Sequence, residues 1–344
     1  MLMKAVVRSA VVALSLAGMA LCAQAQNKLE KPDVHIAVGG KAAFYYLPLT
    51  IAEQLGFFKD EGLNLKISDF KGGSAALRAV VGGSADVVSG AYEHTINLQS
   101  KKQFFQAFAL QGRLPQIVLG VATSKAANFH SFKDLKGMKI GVTAPGSSTN
   151  NLVKQLLTKV GLDPNNDVAI IGVGTGATAV AAIESGEIDA LSNVDPVMTK
   201  LEREGAIKVV ADTRTLKGTE EIWGAPLPAG CLYASLEFVK KNPHTVQALT
   251  NAIVRADKWI AKASAADVVK VVPEAYLLGD RELYMSTFDN VKEAISPDGI
   301  ISASGAKATL SALRNFVPSV KAADIDLSKT YTNKFAKKAD ARYK

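Results

Sequence analysis

Short apolar runs alternate along nearly the whole chain with longer stretches in which apolar residues recur every third or fourth position. The short runs predict strands at 34–38 (VHIAV), 63–70 (LNLKISDF), 104–110 (FFQAFAL), 117–123 (IVLGVAT) and 139–142 (KIGV). Further strands are expected at 168–173 (VAIIGV), 207–212 (IKVVAD) and 231–235 (CLYAS), with helical runs between most of them. Such alternation points to the α/β class. At KIGVTAPGSSTNNLVKQLL, residues 139–157, apolar residues stop at Val142 and return at Leu152, Val153, Leu156 and Leu157. The spacing reads as strand, tight polar turn, helix. A turn of small polar residues at a helix N-terminus suits an anion, because unpaired backbone N–H groups point out of it.

The pattern repeats at an offset of 103 residues: GGSAALRAVVGGSADVVSG (72–90) aligns with TGATAVAAIESGEIDALSN (175–193). Gly73 meets Gly176, Gly83 meets Gly186, Asp86 meets Asp189 and Ser89 meets Ser192. Each copy reads as glycine turn, short helix, Gly-x-x-Asp, short strand, and each follows a strand–turn–helix. Two halves built alike are therefore expected. In open α/β sheets ligands lie beyond the carboxyl ends of the strands, where helix N-termini also point. Facing halves would line a cleft with the turns at 39–45, 72–75, 143–149 and 174–178, joined by 90–92 and 193–195.

As a set, YYLPLTIAEQLGFFKDEGLNLKI, GVTAPGSST, AAIESGEIDALSNVDPV and EFVKKNP resemble the periplasmic substrate-binding proteins of ABC importers. The nitrate/sulfonate/taurine branch, which shares its fold with thiamine-pyrimidine precursor binders, is the nearest in pattern over roughly 33–260. The resemblance implies an α/β, periplasmic-binding-protein-like (type II) fold: two α/β lobes on a two-segment hinge, closing on a ligand in the cleft between them. Carried onto this chain it puts lobe I at 27–114 plus 241–344 and lobe II at 115–240, with crossovers near QGRLPQ (111–116) and after CLYAS. The implied function is an extracytoplasmic solute receptor that takes a small organic anion or zwitterion and delivers it to a membrane permease. A binder of an aromatic or pyrimidine-type ligand, or a two-lobed biosynthetic enzyme of the same fold, is the alternative. The aromatic that often precedes the proline of the family's DP segment is replaced here by Val194-Asp195.

Within that cleft the candidate ligand-binding residues are Lys41, Phe44, Tyr45, Gly73, Ser74, Ala91, Tyr92, Ser147, Ser148, Thr149, Asn193 and Asp195. Backbone donors and hydroxyls would hold an anion, with Lys41 or Arg113 supplying charge; an inward Asp195 would instead hold an amine. Rings of Phe44, Tyr45 or Tyr92 would add contact area.

The N-terminus sets the compartment. In MLMKAVVRSAVVALSLAGMALCAQAQ, Lys4 and Arg8 precede an apolar run from Ala10 to Cys22 and an Ala23-Gln24-Ala25 cleavage site. Residues 1–25 are thus read as a cleaved signal peptide and the protein as periplasmic; the run is shorter than the roughly 20 residues of a membrane span. Lipid anchoring at Cys22 is not expected, since lipid attachment favours a small residue where Leu21 stands. Without Lys4 and Arg8, 38 basic side chains face 32 acidic ones, a net charge of +6. The lysines are scattered, with no basic stripe interleaved with aromatics, so no nucleic-acid partner is expected. Only Cys231 survives cleavage, so the core carries the fold without an intramolecular disulfide. A monomer is expected.

Enzyme readings find little support. GVGTGA (172–177) has G-x-G-x-G spacing, not the G-x-G-x-x-G of a dinucleotide site, and no P-loop occurs. His35, His94, His130 and His244 lack ligand spacing, so no metal and no cofactor are expected; His94, after the 90–92 turn, can approach the cleft. Ser147 and Ser148 have no positioned base and serve better as a helix start. Cys231, in an apolar strand, is expected to be a buried inert thiol.

Overall fold

The computed structural model describes residues 28–344; the signal-peptide and Cys22 expectations lie outside them. Two five-stranded sheets form the frame. The first contains β1 (Asp33–Val38), β2 (Asn64–Asp69), β3 (Val87–Ala91), β4 (Phe105–Leu110) and the late strand β10 (Gly230–Ser235). The second contains β5 (Ile117–Ala122), β6 (Lys139–Val142), β7 (Ala169–Gly172), β8 (Ala190–Val194) and β9 (Ile207–Asp212). Their orders, β2-β1-β3-β10-β4 and β7-β6-β8-β5-β9, are the same order. In each, three parallel strands are followed by an antiparallel pair, with β10 and β5 in the equivalent position. The 103-residue echo is thus a repeat of topology. Central strands are covered on both faces, so β3, β5 and β8 are buried at every position and read as continuous apolar or small-residue runs.

The chain passes from the first sheet to the second through 111–116, between β4 and β5. It returns through 224–229, between α7 (Leu216–Trp223) and β10. Here the sequence reading needs correction: the CLYAS strand was expected before the second crossover, yet it pairs with β3 and β4 in the first sheet. Each sheet fills its antiparallel slot with the strand that has just crossed over. A strand's own pattern says that it is buried, not which sheet it joins.

The C-terminal helices pack mainly on the first sheet. In α8 (Pro243–Lys262), Val246, Leu249, Ile253, Ala256 and Ile260 recur every three or four residues and are buried; a Leu or Ile so placed contributes about 1.5–3 kcal/mol. Proline at its first turn and the Glu30 carboxylate satisfy its N-terminus: Glu30 accepts the N–H groups of His244 (3.0 Å) and Thr245 (3.0 Å). Two other helices reach across to the second half. α9 (Arg281–Val291) touches α6 (Val197–Arg203), and α10 (Ala303–Phe316) packs on α4 (Ser148–Lys159). Among the described residues no helix is long and apolar enough to cross a membrane, and no cluster of side chains fit to hold a metal occurs.

Candidate functional site

The carboxyl ends of β1, β3, β6 and β8 converge between the two halves, and the turns that follow them line a narrow cavity of about 30 Å³. Gly39, Tyr45, Tyr46, Gly73 and Ala91 line it from the first half. Ile117, Thr143, Ser147, Ser148, Thr149, Thr175 and Val194 line it from the second. The echo is visible in the lining: Ala91 and Val194 end the equivalent strands β3 and β8. No lining side chain is charged. Polarity comes from hydroxyls, from two phenols that burial keeps protonated, and from helix N-termini. The N–H groups of Ser148 and Thr149 open α4 and have no acceptor among the described residues, as expected of a helix's first turn.

The halves are in contact around this space. Ser147 Oγ accepts the Ser74 N–H (3.0 Å), and the Ser74 hydroxyl donates to the Pro145 carbonyl (2.9 Å). The Phe44 N–H donates to the Asp195 carbonyl (3.0 Å). Asn151 Nδ2 donates to the Glu93 carboxylate (2.9 Å). His94 Nδ1 pairs with the Tyr233 hydroxyl (2.9 Å), while its Nε2, near the Gly146 backbone, makes no hydrogen bond. Burial lowers the imidazole's pKa against the opposing pull of Glu93, so the ring is held neutral.

Tyr45, Gly73, Ala91, Ser147, Ser148 and Thr149, six of the twelve expected residues, are brought to the cavity. Ser74 stands at its edge, engaged with Ser147 and Pro145. The other five are elsewhere. Lys41 turns back to an ion pair with Glu53. Phe44 is buried against Tyr284, ring centroids 4.3 Å apart, and Tyr92 lies in the first half's core with its hydroxyl 2.7 Å from Thr330 Oγ1. Asn193 folds onto its own half, donating to the Gly174 carbonyl (2.9 Å) and accepting the Val194 N–H (2.9 Å). Asp195 faces away: its carboxylate accepts the Thr199 N–H and hydroxyl (2.8 Å each) and meets Arg214 at 3.5 Å. Burial pushes that carboxyl's pKa up, against Arg214 and Thr199. Arg113 donates to the Glu293 carbonyl (2.7 Å) in a groove beside the first crossover. These side chains share a physical reason. Once a turn packs between two sheets, alternate side chains point into the core, and the periodicity does not say which.

Tyr46 and Ile117 were not among the expected turns. Tyr46 is the neighbour of an expected residue, and Ile117 begins the strand that enters the second sheet, a position visible only once the crossover is placed. Thr149 lines the cavity, but its hydroxyl is engaged locally, accepting the Thr143 N–H (3.1 Å) and pairing with the Thr143 hydroxyl (2.9 Å). Ser148 and Thr175 bring the lining hydroxyls that are not tied down within the second half, and the Tyr45 phenol approaches that of Ser148. Cys231 is buried and free, and burial raises its thiol pKa, as expected of an inert thiol.

Two sheets of matching order facing one another across such a cleft define the periplasmic-binding-protein fold. Residues 27–272 match the NMT1-like family, and the chain belongs to it. It is 24% identical to YtlA of Bacillus subtilis (strain 168), named a binding protein, over 76% of each chain. It is 27% identical to the 4-amino-5-hydroxymethyl-2-methylpyrimidine phosphate synthase THI12 of Saccharomyces cerevisiae, over 67% of this chain and 66% of that one. A solved protein of Bordetella bronchiseptica RB50 is 58% identical and superposes with a TM-score of 0.90 over 92% of this chain and 99% of its own. The alkanesulfonate-binding protein SsuA of Xanthomonas axonopodis pv. citri, solved with MOPS, superposes with a TM-score of 0.69 at 19% identity, over 89% of this chain and all of its own.

Proposed function

We propose that this protein is the extracytoplasmic solute receptor of an ABC importer, binding a small organic anion by closure of two lobes and presenting the closed form to a membrane permease. One observation carries the reading: an uncharged cavity between the halves into which the free N–H groups at the start of α4 and the Ser148 hydroxyl converge. A hydrogen bond to a charged group contributes about 1.5–3 kcal/mol, and a helix N-terminus roughly 0.3–1, or about 2 when partly buried. Three or four such donors reach the ~8 kcal/mol of a micromolar complex. With Asp195 and Lys41 turned away, the head group is recognised by neutral donors, which favours an anion over an amine. The sulfonate binder among the fold neighbours fits this preference.

In this reading the lobes hinge at 111–116 and 224–229, residues 1–25 are removed on export to the periplasm, and the receptor works as a monomer without catalysis. The yeast synthase relative supports the competing reading, a pyrimidine ligand or a biosynthetic reaction. A thermal-shift screen of methanesulfonate, benzenesulfonate, taurine, nitrate, benzoate and a hydroxymethylpyrimidine separates the two. An anion at a hundred times its dissociation constant should stabilise the protein by about 2.7 kcal/mol. A shift with the pyrimidine alone, or product formed from it, would overturn the proposal.

A further inference from the structure

Outside the cleft a groove of about 360 Å³ runs over the two crossovers, within the roughly 300–1,000 Å³ of small-molecule sites. Leu114 lines it from the first crossover, Pro226 and Pro228 from the second, Leu216 from the start of α7 and Ile300 from the segment before α10. Backbone hydrogen bonds knit these pieces together. The Ala229 N–H donates to the Gly112 carbonyl (2.9 Å) and the Gly112 N–H to the Gly230 carbonyl (3.0 Å), joining one crossover to the other. The Arg113 N–H donates to the Ala294 carbonyl (2.8 Å) and the Ser296 N–H to the Gln111 carbonyl (2.9 Å), fixing the far wall to the first crossover. Leu216 belongs to the second half, on a helix that packs against β9. Three charged side chains stand in this largely apolar wall: Arg113, Glu293 and Asp298. Arg113 uses Nε to donate to the Glu293 carbonyl (2.7 Å), which leaves both terminal nitrogens of its guanidinium free. Asp298 accepts the Ile300 N–H through Oδ1 (2.9 Å), leaving Oδ2. Among the described residues none of the three forms an ion pair.

We infer that this groove is a second ligand site, taking an α-amino acid with a large apolar side chain, and that its occupancy favours closure of the cleft. The link to closure rests on the reading of 111–116 and 224–229 as the hinge; the site itself does not. Charge sets the ligand class. A guanidinium fork presents paired donors to a carboxylate, and the Asp298 and Glu293 carboxylates attract an ammonium. A simple anion would gain Arg113 and be repelled by two carboxylates, and a simple cation would meet the reverse. A zwitterion is matched to both signs. The body follows from the rest of the lining, because Leu114, Leu216, Pro226, Pro228 and Ile300 offer no partner to a polar side chain and reward burial of an apolar one. The groove has this shape while the two halves touch. An occupant that fits it therefore binds that arrangement better and shifts the equilibrium toward it. By reciprocity, a ligand in the cleft strengthens the groove ligand by the same factor.

The test is calorimetry on the full chain with L-phenylalanine, phenylacetate, phenethylamine and glycine, which remove the ammonium, the carboxylate and the apolar body in turn. Phenylalanine should bind, and each of the others at least roughly 10-fold more weakly. Arg113→Ala should weaken phenylalanine roughly 10- to 100-fold. Asp298→Asn keeps an acceptor for the Ile300 N–H and should weaken it at least about 5-fold. Both variants should leave methanesulfonate affinity, measured without phenylalanine, within about 2-fold of the unaltered protein. Saturating phenylalanine should raise methanesulfonate affinity at least about 5-fold. Phenylalanine that competes with methanesulfonate, binds no better than phenylacetate or phenethylamine, or is insensitive to both variants would overturn the site while leaving the cleft reading intact. Unaltered methanesulfonate affinity with phenylalanine bound would overturn the link to closure. Failure of methanesulfonate to bind would overturn the cleft reading instead, and the charge series with the two variants would still decide the groove.

Discussion

Gly72 stands where the two halves meet, and replacing it with alanine separates closure from folding. Its φ of 175° is extended backbone open to any residue, so Gly72→Ala introduces no backbone strain. The added Cβ would lie 2.8 Å from the Ala144 Cβ and 3.0 Å from the Ala144 nitrogen, both in the other half. Carbon atoms settle near 3.5–4.0 Å, so the gap must widen by roughly 0.7–1.2 Å at that point. The bond from Ser74 N–H to Ser147 Oγ (3.0 Å) and the one from the Ser74 hydroxyl to Pro145 (2.9 Å) are then stretched beyond useful length. Each contributes about 0.5–1.5 kcal/mol net, so closure loses about 1–3 kcal/mol. On the proposed reading, in which a ligand is gripped from both sides only when the halves close, its affinity should fall roughly 5- to 150-fold. Calorimetry with whichever sulfonate gives the largest thermal shift measures this. The ligand-free melting midpoint should drop by no more than about 2 °C, because each half keeps its own core. Binding at unaltered affinity, with scattering that still shows full compaction, would refute the closure reasoning.

Other substitutions test the neighbouring assignments. Ser148→Ala should weaken a sulfonate roughly 5- to 30-fold by calorimetry, whereas Thr149→Ala should act mainly on the melting midpoint, since that hydroxyl ties Thr143; the reverse ranking would misplace the head group. Asp195→Asn should cost about 1–2 kcal/mol in urea unfolding by weakening the Thr199 and Arg214 contacts, with sulfonate affinity changed less than 3-fold; a large gain in anion affinity would show that the carboxylate faces the ligand after all. Although burial opposes it, the Thr245 and His244 N–H groups lower the Glu30 carboxyl from 4.5 to about 2. A folded-state pKa below the unfolded one means stabilisation that is full above about pH 4.5 and is lost as pH falls toward 2. Glu30→Gln should therefore cost about 1–2 kcal/mol at pH 7, after allowance for solvent screening, and the difference should vanish across that acid window; a pH-independent difference would contradict the assignment.

The frame was largely legible in the sequence, because hydrophobic periodicity reports burial directly. The runs at 34–38, 139–142 and 207–212 are strands as read, and the Gly-x-x-Asp echo marks the equivalent strands β3 and β8. The turn ending in Ser147-Ser148-Thr149 was legible because a run of small polar residues between strand and helix leaves backbone donors free. Side-chain direction was not. Phe44 and Tyr45 are adjacent, yet one packs on Tyr284 and the other lines the cleft. That choice is set by α9, hundreds of residues away in sequence. Asp195 was invisible as a structural group because its partner Arg214 lies on a different element.

The central claim is that an organic anion sits between the two halves with its head on the N-terminal turn of α4. A crystal structure grown with benzenesulfonate tests it most directly. The expected result is a sulfonate oxygen within hydrogen-bonding distance of the Ser148 or Thr149 N–H. Density for the sulfonate outside this cleft, for example in the groove beside Arg113, would contradict the account.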